Sequence, residues 1–319
     1  MTTLKVRIER IADETAEVKS FTFRDPEGRD LPAATPGSHV DVHPPGGPVR
    51  QYSICSAASD RSRYVIAVKR EPESRGGSAT MHAKVAEGDI IEISAPRNNF
   101  ALVDAPGKVL LLAGGIGITP VLSMARHLKE QGRAFSLQYF SRSIGLAAFH
   151  DELTGPQFSD NLHMHYALEP EAVKTYLRHL LWERPQDGHL YVCGPRPFMD
   201  MVLDVAAATW PPDAVHVEYF QADPRSSGGE GDAFEVVLAR SGKSCVVAEG
   251  QSIAEALAEL GVEVEMSCEQ GICGTCLTGV LEGVPDHRDM FMLDDEKAAN
   301  DKMTVCVSRS LSKRLVLDL

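Results

Sequence analysis

The sequence predicts a multidomain protein with three parts: an N-terminal antiparallel β-barrel, a parallel-sheet α/β domain and a C-terminal α+β domain. Three observations predict this organisation. Short alternating apolar runs fill the first hundred positions, buried strands alternate with helical patterns after Gly107, and a segment rich in Gly and Ser at 221–232 precedes a last, cysteine-containing stretch. We expect domains at 1–103, 104–225 and 226–319.

The predicted barrel strands alternate apolar with charged residues and are separated by turns rich in Pro and Gly, the pattern of a small antiparallel barrel. They are LKVRIERI, EVKSFTFRD, HVDVHPP, YVIAVKR and DIIEIS. The period then changes in KVLLLAGGIGITPVLSMARHLKEQG, where a buried strand, a glycine turn and an amphipathic helix open a parallel α/β unit. The strands FSLQYFS, HLYVCG and AVHVEYF and the helical pattern RPFMDMVLDVAAATW continue that unit.

The last third begins after QADPRSSGGEGD, which has the composition of a flexible linker. Two predicted strands, FEVVLARSG and KSCVVAEG, lead to a predicted helix, SIAEALAELG, and then to the loop CEQGICGTCLTG. No internal repeat accompanies these elements.

Composition indicates a cytoplasmic protein without a membrane segment. The apolar content of 43% and charged content of 24% are ordinary for a globular protein. The start MTTLKVRIERIADE lacks the apolar core of a signal peptide, and no apolar stretch approaches the roughly 20 residues of a membrane-spanning helix. An odd number of cysteines, seven, favours a reducing compartment, where clustered cysteines more often bind metal.

The net charge of −13 argues against nucleic acid as a partner. The charge is unevenly distributed along the chain. Residues 226–319 carry 8 basic and 17 acidic side chains, compared with 14 and 14 in residues 1–103 and 10 and 14 in residues 104–225. The negative charge is therefore concentrated in the part that holds the cysteine loop.

The cysteine spacing is the most specific motif of the sequence. Cys268, Cys273 and Cys276 follow the pattern C-x4-C-x2-C, and Cys306 comes after 29 further residues, which is the plant-type spacing for a [2Fe–2S] cluster. Zinc sites more often use two separated C-x2-C pairs, and four buried structural cysteines are the other alternative. The last domain resembles plant-type ferredoxins with a β-grasp-like fold over nearly its whole length, and this resemblance implies that these four cysteines bind the cluster.

Four further motifs occur in a recognisable order: RQYSICS at 50–56, RGGSATMH at 75–82, GGIGITP at 114–120 and YVCGPRPFM at 191–199. Taken alone, the first could be an ordinary exposed strand. Together they resemble the ferredoxin-NADP reductase superfamily from residue 1 to about residue 221. The resemblance implies a flavin site, with Tyr52 against the ring, Ser53 near its N5 edge and Arg50 at the phosphate. Gly77 and Ser78 would bind the same phosphate at a helix N-terminus, where the helix dipole favours an anion.

The nicotinamide motif is weaker, because GGIGITP is not the G-x-G-x-x-G fingerprint. It does lie where a dinucleotide pyrophosphate would bind, at the carboxyl end of a first parallel strand that opens a helix. Cys193 alone could be a small buried hydrophobic residue; the resemblance implies that it faces the nicotinamide. The residues that the resemblance assigns to the nucleotide and to the covered flavin face are Gly114, Gly115, Gly117, Thr119, Pro120, Ser141, Arg142, Cys193, Gly194, Pro195 and Phe220.

Over its entire length the chain resembles the phthalate dioxygenase reductase and vanillate demethylase reductase family. The resemblance implies a monomeric NADH-dependent oxidoreductase with Ser53 and Cys193 as catalytic residues, which passes electrons from NADH through FMN and a 2Fe-2S cluster to a Rieske-type terminal oxygenase. FMN is expected rather than FAD, because no aromatic segment that could hold an adenine follows RGGSATMH. Two alternatives remain: the reductase of a diiron monooxygenase, and a redox-sensing or electron-carrier subunit without its own turnover.

Overall fold

The structure is a computed structural model that describes residues 3–72, 76–221 and 231–319. Contacts between residues divide the chain into two compact units, 1–218 and 219–319. The first unit holds two sheets, and the second unit holds a five-stranded sheet and a two-stranded sheet. The predicted boundary at 103/104 falls between the first two sheets, whereas the boundary at 225/226 lies outside the described residues; both stay predictions.

The first sheet is a six-stranded antiparallel barrel. Its strands follow the order β4-β3-β6-β1-β2-β5, and a bridge between Ile54, directly after β4, and Ile66, within β5, joins the two outer strands. Val40, Val42 and Ile66 are fully buried in its core. The elements are β1 (Thr3–Asp13), β2 (Val18–Arg24), β3 (His39–His43), β4 (Arg50–Ser53), β5 (Tyr64–Lys69), α1 (Gly77–Lys84) and β6 (Ile90–Ser94).

The second sheet has five parallel strands in the order β11-β10-β7-β8-β9, with helices on the connections. The elements are β7 (Val109–Gly114), α2 (Ile118–Glu130), β8 (Phe135–Ser141), α3 (His150–Leu153), β9 (Leu162–Tyr166), α4 (Pro170–Leu180), β10 (His189–Cys193), α5 (Arg196–Ala206) and β11 (Val215–Glu218). Because the strands are parallel, their last residues Gly114, Ser141, Cys193 and Glu218 lie at one edge, where ligands bind in open α/β sheets.

The second unit contains a mixed sheet of order β13-β12-β18-β14-β16, in which β12 and β18 run parallel, and a two-stranded sheet of β15 and β17. Helix α6 begins at a capping box between Ser252 and Glu255 and buries Ile253 and Leu257 in the core of this unit. The elements are β12 (Phe234–Leu238), β13 (Ser244–Val247), α6 (Ile253–Glu259), β14 (Leu277–Glu282), β15 (Pro285–Asp286), α7 (Asp294–Ala299), β16 (Lys302–Thr304), β17 (Arg309–Ser310) and β18 (Arg314–Leu317).

The predicted fold class is confirmed: an antiparallel barrel is followed by a parallel α/β sheet and by an α+β unit. Most of the predicted linker at 221–232 lies outside the described residues. Among the helices that the structure describes, none combines the length and the apolar character that crossing a membrane requires.

Candidate functional site

Strand β4 carries the three residues of the Arg-x-Tyr-Ser motif. Tyr52 is partly buried against the barrel core, and desolvation raises the pKa of its hydroxyl to about 12. Ser53 is buried, with 5% of its surface exposed. The stem of Arg50 packs on Gly77, where an added Cβ would lie 2.6 Å from Arg50 Cγ. Strand β4 and the start of α1 are therefore in direct contact, as a shared phosphate site requires.

The start of α1 is shaped by glycines. Its N-cap residue, Gly76, has φ of 92°, and no atom of the described residues lies within 4 Å of the position its Cβ would take. Gly47 approaches the side chain of Thr80 so closely that a Cβ would lie 2.8 Å from it. Ser78 is buried, and its hydroxyl accepts a hydrogen bond of 3.1 Å from the backbone N–H of Glu71. Ser78 therefore also connects the backbone of Glu71, shortly after β5, with the first turn of α1.

Ser53 meets the parallel sheet at Glu218. Its hydroxyl donates a hydrogen bond of 3.3 Å to Oε2 of Glu218, which lies beside Cys193 on the neighbouring parallel strand. Burial raises the pKa of the Glu218 carboxyl to about 8, partly offset by the bond from Ser53, so at pH 7 the carboxyl is mostly protonated. Burial raises the pKa of the Cys193 thiol well above its ordinary value, and at the alkaline pH where the Glu218 carboxyl is ionised its charge adds to this shift. Barrel and sheet thus join through neutral polar groups.

Two glycine turns pack backbone against backbone at the carboxyl edge of the parallel sheet. A Cβ on Gly117 would collide with the carbonyl group of Cys193, and a Cβ on Gly194 would lie 3.0 Å from the Cα of Gly114. Gly115 adopts φ of 52° with open space where a Cβ would be. Larger residues cannot occupy these turns without moving the strands, and the open side at Gly115 leaves room for a ligand to approach the backbone.

The remaining residues assigned to the nucleotide have different local roles. The buried Thr119 donates its hydroxyl to the carbonyl of Ile116 at 3.1 Å, within the turn that starts α2. Ser141 donates to the carbonyl of Ser143 at 2.9 Å. Three further predicted residues, Pro120, Pro195 and Phe220, lie in the first turn of α2, at the N-cap of α5 and two residues after the end of β11.

Arg142 is exposed after β8 and forms an ion pair of 3.4 Å with Glu17. Its guanidinium is thus partly neutralised by a carboxylate of the barrel. The ion pair with Glu17 weakens the attraction of Arg142 for a second anion.

In the second unit the four cysteines form two pairs. Side-chain hydrogen bonds join Cys268 with Cys273 and Cys276 with Cys306. Three of them are buried and Cys306 is partly exposed. Within the described residues, no three His, Cys, Asp or Glu side chains converge on a position for one metal ion. Two pairs of thiols are the donor set that two irons, each with two cysteine ligands, would need.

The loop that carries these cysteines depends on left-handed backbone at Gly271 (φ 69°) and Gly274 (φ 71°). At Gly274 an added Cβ would collide with the ring of Phe291, and at Gly271 it would lie 3.1 Å from Asp289. Asp289 in turn accepts N–H bonds from Phe291 and, at 2.7 Å, from Met292. The segment from Asp289 to Met292 therefore packs directly on the cysteine loop.

Backbone amides point at the sulfurs. The N–H groups of Gln270 and Thr275 donate to the sulfurs of Cys268 and Cys273, at 3.3 and 3.5 Å. In each pair the hydrogen bond lowers the pKa of one thiol and raises that of the other: the bond from Cys268 lowers the pKa of Cys273, and the bond from Cys306 lowers the pKa of Cys276. The backbone amides of the loop add further donors to sulfur, which fits an anionic iron–sulfur cluster.

Comparison with known proteins agrees with this geometry. The family described as the 2Fe-2S iron-sulfur cluster binding domain matches residues 236–311. Vanillate O-demethylase oxidoreductase of Acinetobacter baylyi is 44% identical over 320 residues, which cover 100% of both chains. This chain belongs to the vanillate demethylase and phthalate dioxygenase reductase family. It is an oxidoreductase, as its sequence predicts.

Two further relatives of the family match along the whole chain. The solved structure of phthalate dioxygenase reductase, described as modular for electron transfer from pyridine nucleotides to [2Fe-2S], has a TM-score of 0.77 at 40% identity and covers 99% of this chain and 98% of its own. The carnitine monooxygenase reductase subunit of Escherichia coli is 40% identical over 325 residues, 99% of this chain and 98% of that one. The family thus includes reductases named for chemically different oxygenases.

The structure brings together residues that sequence reasoning singled out separately. Arg50 meets Gly77, Gly117 meets Cys193, and the four cysteines approach as pairs. His39, which is buried opposite Ser53, was not predicted as a site residue, because HVDVH shows only the alternation of a strand. Its place is visible only in the register of β3 against β4.

Proposed function

We propose that this chain is the NADH-dependent reductase component of a two-component oxygenase system, passing electrons from NADH through FMN and a [2Fe–2S] cluster to a Rieske-type terminal oxygenase. One observation carries the proposal: a single chain holds the Ser53–Glu218–Cys193 group at a nucleotide-binding sheet edge and also two cysteine pairs in an iron–sulfur loop. When bound, FMN takes a two-electron hydride and yields electrons singly, and the [2Fe–2S] cluster carries one electron at a time.

Arg50 and the first turn of α1 would hold the FMN phosphate. The close contact of Arg50 with Gly77 puts a guanidinium beside a helix N-terminus, and these two features attract an anion together. Arg50 Nη1 also donates to the carbonyl of Val49 at 2.7 Å, which restrains the side chain near its own strand. Tyr52, held against the barrel core, would provide an apolar face for the flavin ring.

Ser53 and Glu218 would control the proton at the reacting edge of the flavin. The Ser53 hydroxyl can donate one hydrogen bond, and Glu218 Oε2, at 3.3 Å, accepts it in this structure. Because the Glu218 carboxyl is mostly protonated at neutral pH, it brings no full negative charge beside the hydride path. A donor at this edge would stabilise the charge that develops there during hydride transfer.

Gly114, Gly115 and Gly117 would receive the pyrophosphate of the nucleotide, and Cys193 would stand beside the nicotinamide. Because the thiol of Cys193 stays protonated, it contributes bulk and polarity without charge. We expect NADH to be preferred to NADPH by about tenfold or more in kcat/KM, because Arg142 is already paired with Glu17 and a charged hydrogen bond is worth roughly 1.5–3 kcal/mol. Equal kcat/KM values for the two nucleotides would contradict this expectation.

The cysteine pairs Cys268/Cys273 and Cys276/Cys306 would each hold one iron of the cluster. The amides of Gln270 and Thr275, which already donate to sulfur, would remain hydrogen-bonded to the ligands in the loaded protein. The left-handed turns at Gly271 and Gly274 let the loop wrap closely. The chain's part in electron transfer is to fix the position and the charge environment of the cluster.

The partner oxygenase would decide the substrate. The relatives are named for a vanillate demethylase, a phthalate dioxygenase and a carnitine monooxygenase, so the reductase itself does not select one chemical class. A diiron monooxygenase is the alternative partner. We further propose that the chain works in the reducing cytoplasm, since its seven cysteines are all free and four of them are needed as reduced thiolates. We also propose that it acts as a monomer, and light scattering of the loaded protein would measure its mass.

The test is stepwise electron transfer by the purified protein loaded with FMN and iron. NADH should reduce ferricyanide and cytochrome c, and in anaerobic mixtures it should then reduce a Rieske-type oxygenase faster than a diiron oxygenase. Absence of NADH-dependent cytochrome c reduction in fully loaded protein would contradict the proposal and favour a carrier without turnover. Faster reduction of the diiron oxygenase would retain the reductase and correct its partner.

A further inference from the structure

A buried histidine lies unsatisfied next to the proposed flavin site. His39, on β3, exposes 1% of its surface, and neither Nδ1 nor Nε2 has a hydrogen-bond partner among the described residues. Leaving a buried polar group unpaired costs roughly 1–3 kcal/mol. An aliphatic residue at this position would avoid that cost. The imidazole therefore indicates a hydrogen-bonding role that is not visible in the chain alone.

His39 faces Ser53 across the sheet. The two residues are paired in the antiparallel register of β3 and β4, and the backbone N–H of Ile54 donates to the carbonyl of Ser38 at 2.8 Å. This bond pattern makes His39 and Ser53 a non-hydrogen-bonded pair, in which the Cα atoms are about 4.5 Å apart and both side chains lie on one face. Cβ atoms of such a pair are about 4.5–5.5 Å apart, so a rotation of the His39 side chain would bring a ring nitrogen toward Ser53 Oγ.

The shared face of this pair points away from the barrel core. Val40, the next residue along β3, is in that core, so side chains at the alternate position His39 project from the opposite face. Ser53, on the same face, makes its hydrogen bond to Glu218 of the parallel sheet. His39 thus lies on the face of the barrel that carries Ser53 and that meets Glu218 of the parallel sheet.

The imidazole is neutral. Burial, followed by the positive charge of Arg97, lowers the pKa of His39 to about 4, and Asp41 offsets this only in part. Asp41 itself forms an ion pair of 2.6 Å with Arg97. A neutral imidazole has one N–H donor and one acceptor nitrogen, and both are available in His39.

We propose that His39 is a positioning residue of the flavin site, which donates a hydrogen bond to the Ser53 hydroxyl and so directs the proton of that hydroxyl toward the bound flavin. The inference rests on the proposed function. Ser53 Oγ can accept as well as donate, and its present bond to Glu218 is long. If His39 donates to Ser53 Oγ, the single proton of that hydroxyl remains available for the flavin edge. In a chain of two hydrogen bonds, the first bond also polarises and strengthens the second.

The test compares His39→Leu, which removes the donor, with His39→Gln, which keeps one. His43→Leu is a matched control, because His43 is on the same face of the same strand but about 13 Å further along. FMN content, the flavin midpoint potential by photoreduction, and stopped-flow reduction by NADH would be measured for each. We expect FMN to be retained throughout, with about tenfold slower reduction and a shifted potential in His39→Leu, and a rate within about threefold of the parent in His39→Gln and His43→Leu.

A double-mutant cycle tests whether His39 acts through Ser53. In the Ser53→Ala background, His39→Leu should change neither the rate nor the potential further, whereas additive effects would overturn the proposal. A parent-like potential in His39→Leu with FMN bound would also overturn it. Photoreduction needs neither NADH nor the cluster, so a parent protein that fails to oxidise NADH would contradict the proposed function without deciding the role of His39.

If His39→Leu does not fold, the parent protein itself gives the answer. The ¹⁵N shifts of the His39 ring should show a neutral tautomer between pH 5.5 and 8, and one ring nitrogen should change on adding FMN to the apoprotein. Ring shifts that do not respond to FMN would overturn the assignment.

Discussion

The unit of residues 1–218 gathers its proposed site from separate elements, whereas the unit of residues 219–319 takes three of its four proposed cluster ligands from one loop, 268–276. In the first unit, Ser53 on β4, Cys193 on β10 and Glu218 on β11 meet because two sheets are in contact. In the second unit, left-handed backbone at Gly271 and Gly274 lets a short loop bring its cysteines close together. Precision therefore comes from tertiary packing in one case and from local backbone conformation in the other.

The two regions also differ in how they use acidic side chains. Glu218 is held where burial raises the pKa of its carboxyl to about 8, so it acts mainly as a neutral polar group. In the second unit, Glu263, Glu265 and Glu269 are exposed on the approach to the cysteine loop. A single substitution in the first unit's proposed site, which depends on contacts among several elements, should reduce its function only in part. Loss of one ligand from the cysteine loop should abolish the function of the cluster.

The largest effect is expected for Cys273→Ser. Serine removes one sulfur donor of the Cys268/Cys273 pair, so the cluster should be lost and cytochrome c reduction should collapse by about 100-fold or more. Ferricyanide reduction, which can draw electrons from the flavin, should stay near the parent rate. Cys245→Ser, a change at a partly buried cysteine of β13, is the control. Cytochrome c reduction at the parent rate in Cys273→Ser would show that electrons leave elsewhere.

Ser53→Ala should slow NADH-dependent flavin reduction by about 100-fold while FMN remains bound. The loss of one donor at a site of developing charge costs roughly 10²–10³-fold, and the low end applies because Cys193 and the glycine turns still position the nicotinamide. Stopped-flow absorbance would measure the rate. Ser136→Ala, at a buried serine of β8, should leave it unchanged. An unchanged rate in Ser53→Ala would remove the hydroxyl from the mechanism.

The same contrast explains what could be predicted from the sequence. The cysteine loop was predictable because its chemistry lies in spacing, and the barrel strands because their alternation is local. The pairing of His39 with Ser53 depends on the register of two strands, and the raised pKa of the partly buried Glu218 depends on its contacts with β10 and with the barrel. Neither of these two features produces a residue pattern within its own stretch of sequence.

Some elements were also missed for physical reasons. Strand β9, LHMHY, mixes two histidines with apolar residues and lies at the sheet edge, so its periodicity is weak. Strand β18 runs parallel to β12 although they are nearly 80 residues apart in sequence, and no local turn announces such a pairing. The residues at the FMN phosphate and the nucleotide stay predictions, since their contacts involve groups the chain itself does not contain.

Glu218→Gln should change the pH dependence of stability by on the order of 1 kcal/mol. The folded pKa of about 8 exceeds the usual value of 4.5, so between these pH values the folded chain keeps a proton that the unfolded chain has lost. Stability from this carboxyl is thus full below pH 4.5 and is lost as pH rises through 8. Thermal midpoints at pH 5.5 and 8.5 should differ less in Glu218→Gln than in the parent. The exposed Glu171→Gln should behave as the parent, and an equal pH dependence in Glu218→Gln would show that the carboxyl is not desolvated.

The smallest expected effect concerns transfer out of the second unit. Residues 226–319 have 17 acidic and 8 basic side chains, so a basic surface on the oxygenase should attract this part of the chain. Electrostatic attraction raises association rates and is screened over about 10 Å at 0.1 M salt. Salt should therefore slow oxygenase reduction while it leaves NADH-to-flavin transfer, whose proposed residues lie mainly in the first unit, nearly unchanged.

Glu269→Gln identifies where that attraction acts. Glu269 is exposed directly beside the buried Cys268, so its charge lies next to the proposed exit for electrons. Glu282 is also exposed but lies at the far end of β14, roughly 20 Å along the strand from the loop. Glu269→Gln should slow oxygenase reduction about twofold at low salt, and Glu282→Gln should change it less. Equal effects of the two substitutions would mean that the net charge, and not the cysteine loop, guides the encounter. A rate of oxygenase reduction that does not change with salt would mean that the acidic residues serve solubility and that the oxygenase is recognised through apolar contacts.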